Sequence, residues 1–307
     1  MEFHRFEPRS WPGRLLHGLV MAGMFAFAAA AHAQKSFSTP EAAMSAFGEA
    51  VERDQEQMLQ AIFGSDFRKL IPPADAGVRQ TFEEEWARAH AVKQVNASRA
   101  EITVGDAGWT LPIPLVKAGQ GWHFDTRAGA EEMRLRRIGR NELSVIKTML
   151  AIYDAQREYA QTDHDGQGVL VYASKIVSSP GKHDGLYWPT EPGQPPSPLG
   201  PAFLDASARD AASAGYHGYR YRLLNSQGPH APGGAYSYVA RGKLFGGFAI
   251  IAWPVAYGET GVMTFMVSHA GQVYERDLGP QSADRAQKMG SFDPGPEWSR
   301  VADDDID

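Results

Sequence analysis

Between Ala130 and Gln161 apolar residues recur at steps of three and four, the period of a helix with a buried side. One stripe runs Leu135, Ile138, Val145, Met149, Ile152 and Tyr159, and its neighbour runs Leu143, Ile146, Leu150, Tyr153 and Ala160. A polar stripe of Arg137, Arg140, Asn141, Ser144, Lys147, Asp154 and Glu158 fills the rest of the circumference. The spacing predicts a long helix buried over more than half its surface. Gly139 predicts a break in it, with Asn141 capping the second, longer segment.

Upstream, Thr39 is suited to cap a helix that opens on Pro40 and carries Glu41 near the positive end of its dipole. Ala43, Phe47, Ala50 and Val51 follow at helical spacing. A second helix is predicted from Asp54 to Gly64, with Met58, Leu59, Ile62 and Phe63 on one face, and a third over Thr81 to Val92. From Ala97 the period becomes two: Ala100, Ile102 and Val104 alternate with Arg99, Glu101 and Thr103. A strand over Trp109 to Lys117 contains Pro112 and Pro114, which cannot donate to a ladder and predict a sheet edge or a bulge. Trp122 to Phe124 is a third strand. Helices followed by an antiparallel meander form a cone-like unit over residues 34–127.

Downstream of the long helix, Asp163 to Gly168 is a polar loop, and an apolar segment reaches Val177. Trp188 to Pro201 holds six prolines and reads as an exposed loop or a lid. An Ala-rich helix is predicted over Ala202 to Ala214. Tyr219, Tyr221 and Leu223 alternate, Gly247 to Val255 is continuously apolar, and Gly261 to Val267 turns through Ser268-His269-Ala270-Gly271 into Gln272 to Arg276. These pieces predict an antiparallel sheet packed on the long helix over residues 128–292, followed by a disordered acidic tail over 293–307. The fold class is α+β.

At the amino terminus Arg5, Arg9 and Arg14 precede an apolar run from Leu15 to Ala31 and the triplet Ala31-His32-Ala33, the pattern of a secretory signal cleaved after Ala33. The run is shorter than the ~20 residues that cross a bilayer and His17 interrupts it, so no stable membrane anchor is expected after cleavage. The mature chain is expected to be periplasmic or secreted. Removing residues 1–33 takes three Arg and two Glu from totals of 30 basic and 36 acidic residues, which leaves 27 against 34 and a net charge of about −7. A mild acidic excess without basic runs argues against a nucleic-acid partner. With no cysteine, thiol nucleophiles, thiolate metal sites and lipid tethering through cysteine are excluded.

The arginines 134, 136, 137 and 140 are the densest basic cluster. They are suited to pair with an acidic ligand, to fork onto Glu131, Glu132 or Glu142, or to clamp one half of the chain to the other. With Asn141 and Trp188 these residues, Arg136, Arg137, Arg140 and Glu142, are the candidate binding residues. Trp188, Tyr216, Tyr219, Tyr221, Tyr236 and Tyr238 fit sheet packing or a carbohydrate platform. Asp163 and Asp165 offer oxygen ligands beside a turn glycine, yet the spacing matches only the opening of a calcium loop, and a plain polar turn is the simpler reading. Ser144 and Lys147 match a serine–lysine pair whose companion signatures are missing. No helical histidine pair, nucleophile elbow, phosphate loop or dinucleotide fingerprint occurs, so no catalytic residue and no cofactor is assigned.

Gly121 to Thr126, the octet Arg136-Arg137-Ile138-Gly139-Arg140-Asn141-Glu142-Leu143, Ser197 to Pro201 and Gly215 to Tyr219 together resemble the exported bacterial proteins grouped as domain of unknown function 2950. Thr39 to Phe124 is similar to the cone-shaped NTF-two-like domains, which implies a ligand cavity or a scaffold. Asn141 to Arg276 resembles a type IV pilin headgroup, although here the helix is internal and arginine-rich at its start. The expected role is non-catalytic binding of a protein or envelope component. The alternatives are a small-molecule enzyme using the cone, with Trp109, Trp122 and His123 at its mouth and Glu101 or Asp125 as base, and a minor pilus-like or pseudopilus-like subunit.

Overall fold

Thr39 is extended and accepts a hydrogen bond from the Ala42 N–H, so the first helix, α1 (Pro40–Glu52), starts where the proline ring and the threonine hydroxyl direct it. The structure, a computed structural model, describes residues 34–73, 75–190, 193, 196–200 and 215–302. The signal segment, the Ala-rich helix over 202–214 and the last acidic residues, 303–307, lie outside the described residues. Next come α2 (Glu56–Phe63), ended by Gly64 at φ 95°, and the short α3 (Phe67–Leu70). Asp75 caps α4 (Ala76–Arg88) by accepting from the Val78 N–H.

These helices lie on a sheet of order β1-β2-β4-β5, built from β1 (His90–Asn96), β2 (Arg99–Val104), β4 (Leu115–Ala118) and β5 (Gly121–Phe124), with the short β3 (Trp109–Thr110) also paired to β2. β2 buries alternate residues as its period requires, with Ala100, Ile102 and Val104 inward. Two expectations are corrected. Residues 90–92, read as helical, belong to β1, which pairs with β2 from His90↔Val104 onward. Trp109 to Lys117 is not one edge strand: Pro112 and Pro114 interrupt it, and β4 lies inside the sheet between β2 and β5. Phe47, Phe63, Phe67, Trp86 and Phe124 form an aromatic core between helices and sheet.

Asp125 then accepts from the Ala128 N–H and opens α5 (Thr126–Tyr159), an unbroken helix of 34 residues. At 1.5 Å per residue it is about 51 Å long. The break expected at Gly139 is absent. A glycine inside a helix costs only about 1 kcal/mol relative to alanine, and side-chain anchors on both sides of Gly139 hold the backbone in register. Leu135, read as part of the buried stripe, is 49% exposed, whereas Ile138 of the same stripe is buried.

Beyond α5, β6 (Lys175–Val177) and β7 (Gly185–Tyr187) form a small parallel pair. Five antiparallel strands follow in the order β16-β15-β14-β13-β8: β8 (Tyr219–Leu224), β13 (Ala249–Pro254), β14 (Met263–Ser268), β15 (Val273–Asp277) and β16 (Ser299–Arg300). The short pairs β9 (Ser226–Gln227) with β10 (Tyr236–Ser237) and β11 (Val239–Ala240) with β12 (Lys243–Leu244) fold between β8 and β13. β13 is continuously apolar because both its faces are covered: Ile250 and Ala252 meet α5, whereas Ala249, Ile251 and Trp253 meet the layer containing α6 (Ser282–Lys288) and Phe292. The two large sheets remain separate. Residues 293–302, expected in the tail, are ordered: Arg300 pairs with Tyr274 and Val301 is buried in the core beneath the sheet.

Ile152 is fully buried between α5 and this sheet. Ile152→Ala is expected to lower the unfolding free energy by about 2–5 kcal/mol in denaturant titrations. A change below about 1 kcal/mol would contradict the packing described for α5.

Candidate binding cavity

The arginine-rich octet lies in the first half of α5, where it touches two things. One side grips the turn between β13 and β14. Arg134 donates to the Gly258 carbonyl, Arg137 to the Glu259 carbonyl at 3.2 Å and carboxylate at 3.0 Å, and Asn141 to the Thr260 carbonyl at 2.8 Å. One oxygen of Glu142 accepts the Val262 and Met263 N–H groups at 2.8 and 2.9 Å. It also lies 3.3 Å from the hydroxyl of Tyr219, which donates to the Met263 carbonyl at 2.9 Å. Burial, and then the neighbouring Glu142 charge, push the Tyr219 hydroxyl well above the usual tyrosine range.

The hairpin tip Tyr216–Tyr219 turns through His217 and Gly218, both at positive φ, and seats against the same place. A Cβ on Gly218 would lie 2.8 Å from Thr260 Cβ and 3.0 Å from Asn141 Nδ2. These contacts all lie within residues 128–292, with Arg137 and Glu259 as their ion pair among the described residues; the bond from the cluster to the amino-terminal unit is the one Arg136 donates to the Thr110 carbonyl at 2.7 Å. Arg134 and Arg136 also follow the helical pairing expected, with Glu131 and Glu132 at 2.6 and 2.7 Å. Glu142 binds backbone rather than arginine, and Asn141 anchors the turn instead of capping a helix.

The other side of the octet faces a cavity of ≈520 Å³ between α1–α4, the β3–β4 connection and α5. Phe47, Phe63, Leu111 and Ile113 are among its apolar walls, and Val78 and Trp109 stand at 59% and 48% exposure on its border. Five arginines, Arg68, Arg79, Arg136, Arg137 and Arg140, also line it. Four are engaged: Arg68 by Glu56, Arg79 by Asp54 at 2.9 Å, Arg136 by Glu132 and the Thr110 carbonyl, and Arg137 by Glu259. Arg136 also lies over the Trp109 ring, 5.8 Å from its centre. Asp54 is the one carboxylate among the described lining residues. The Arg79 hydrogen bond and charge hold it below the usual carboxylate range, so it is a poor base.

Of the residues expected around an enzymatic cone, Trp109 lines the cavity; Trp122, His123, Glu101 and Asp125 do not. Trp122 is buried against Phe37, Asp125 is the α5 cap, and Glu101 pairs across the sheet with Lys93. Trp188 lies far along α5 in the carboxy-terminal core, stacked on His183 with ring centres 4.4 Å apart. Tyr219 and Tyr238 are fully buried, which removes them from any carbohydrate platform. Asp163 accepts from the N–H groups of Asp165, Gln167 and Gly168, chiefly the last, which lowers its pKa; Asp165 pairs with Lys243 at 2.6 Å. Their oxygens hold the loop, and no group of three metal-ligating side chains occurs among the described residues. Sequence reasoning missed Asp54, Arg68, Arg79 and the apolar walls, which only the tertiary fold brings together.

An α+β protein in which one long helix walls an apolar, arginine-bordered cavity and bolts it to a second sheet is the class defined by this geometry. The chain belongs to the family described as protein of unknown function (DUF2950), which matches residues 34–301. Comparison with curated proteins and with solved structures found no match. No helix among the described residues is long and apolar enough to cross a membrane.

Removing the Glu142 carboxylate strands two partly buried N–H groups, each costing about 1–3 kcal/mol, whereas the solvent-facing Arg137–Glu259 pair contributes about 0–1 kcal/mol. Glu142→Ala is therefore expected to destabilise more than Arg137→Ala in thermal melts. The opposite ranking would show that the grip on the β13–β14 turn rests on the ion pair.

Proposed function

We propose that the chain is an exported binding protein that takes an envelope-derived small molecule with an apolar body into the cavity and does no chemistry on it. The observation that carries this reading is the cavity itself: ≈520 Å³, within the range of small-molecule sites, apolar inside and cationic at its border. Among the described residues its lining holds no serine, cysteine, lysine or histidine, and its one carboxylate is tied to an arginine. The likeness of the amino-terminal half to ligand-holding cones and the signal-like pattern over residues 1–33 support the same reading. The filament alternative gains nothing from α5, whose apolar stripe is covered by the sheet from Val145 onward.

Protein isolated from the periplasm or the medium, with an amino terminus expected at Gln34, is expected to enhance the fluorescence of N-phenylnaphthylamine, a neutral apolar probe. Leu70→Trp places an indole in the lining and is expected to weaken that binding roughly tenfold or more. Failure of the wild type to bind the probe, or equal binding by a folded Leu70→Trp, would reject the cavity as the site. Retention of residues 1–33 in the cytoplasm would reject export.

A further inference from the structure

We propose that the ligand is a long-chain monocarboxylate, its headgroup forked on Arg140 at the cavity border and its chain lying toward Phe47, Phe63 and Ile113. This rests on the cavity being a binding site and adds the chemical class of what it binds. Arg140 differs from its neighbours in one respect: it has no hydrogen-bond or ion-pair partner among the described residues. Arg68, Arg79, Arg136 and Arg137 already direct their donors to Glu56, Asp54, Glu132 with Thr110, and Glu259. Arg140 follows Arg136 by four residues and Arg137 by three, so the helix puts it on the same side as these two lining residues; it is exposed and is itself part of the lining.

An unpartnered guanidinium presents parallel N–H donors that match the two oxygens of a carboxylate. One uncompensated positive charge matches a monoanion; a phosphate monoester would bring a second negative charge with no free partner. The rest of the lining is mostly apolar and aromatic, and its other polar side chains, Asp54, Arg68, Arg79, Arg136 and Arg137, are already paired, which leaves little to satisfy a hydroxylated or sugar-like body. Val78 and Trp109, both exposed lining residues, continue the apolar surface outward. The net attraction therefore combines apolar burial with a single charge-assisted fork.

The test is displacement of bound N-phenylnaphthylamine by laurate, dodecanol and dodecyl phosphate, on wild type, Arg140→Gln and Arg140→Lys. In the wild type laurate is expected to bind roughly three- to tenfold tighter than dodecanol, the range for a charge-assisted pair at a solvent-facing site. Arg140→Gln, checked for folding by circular dichroism, is expected to erase that preference; Arg140→Lys keeps part of it. Lengthening the acid from decanoate to laurate tightens binding by up to about fourfold per buried methylene, equivalent to ~0.8 kcal/mol. Equal binding of laurate and dodecanol, or a preference that survives Arg140→Gln, overturns the carboxylate assignment while probe binding still supports the cavity. Tighter binding of dodecyl phosphate than laurate overturns it in favour of a dianion. Absence of probe binding overturns both readings.

Discussion

Everything else in this molecule hangs on α5 running unbroken past Gly139. A helix of 34 residues cannot sustain itself on propensity alone, and this one is polar around much of its first half. What holds it is tertiary contact of two different kinds. Val145, Met149 and Ile152 bury the second half against the carboxy-terminal sheet, each contributing of the order of 1.5–3 kcal/mol by leaving water. The first half is fixed by hydrogen bonds to a backbone turn, with Glu142 and Asn141 binding groups that would otherwise be without partners. Gly139 sits inside the first half, between the anchors Arg137 and Asn141, and is tolerated because neither side is free to unwind.

The same constraint gives the octet its charge. Residues on one side of the helix meet carbonyls of the β13–β14 turn, which only donors satisfy, so arginine and asparagine fit there. Residues a quarter-turn away border an apolar cavity, where guanidinium groups remain solvated at their heads while their stems cover hydrophobic surface. Arg137 belongs to both sides, lining the cavity and pairing with Glu259. Arg140, a turn further on, has the cavity side alone. A cluster that reads in the sequence as one basic patch is thus divided by helical geometry into a part bound to the β13–β14 turn and a part that borders the cavity.

The long helix, the Thr39–Pro40 start, the Gly64 stop, the alternation of β2 and the apolar run of β13 were legible because each is a local pattern that the fold reinforces. β1 was missed because most of its side chains face solvent and show no alternation to betray a strand. The order of residues 293–302 was missed because a single buried valine and a two-residue strand leave little trace among prolines and charges. Gly139 misled for the opposite reason: its local signal is real, and distant contacts override it. Of the candidate site, Arg136, Arg137 and Arg140 were visible as a cluster, but Arg68, Arg79 and the aromatic walls come from segments up to about ninety residues apart. Trp188 was singled out for its proline-rich setting, and burial in the core gives it a packing role.

Hydrogen–deuterium exchange across α5 tests the continuity of that helix directly. The amides of Gly139 to Leu143 are expected to be protected to a degree comparable with those of Val145 to Ile152, as members of one helix anchored at both ends. Fast exchange confined to residues 139–143, with slow exchange on either side, would mean that the helix is broken there and that the cavity and the carboxy-terminal sheet are joined by a hinge.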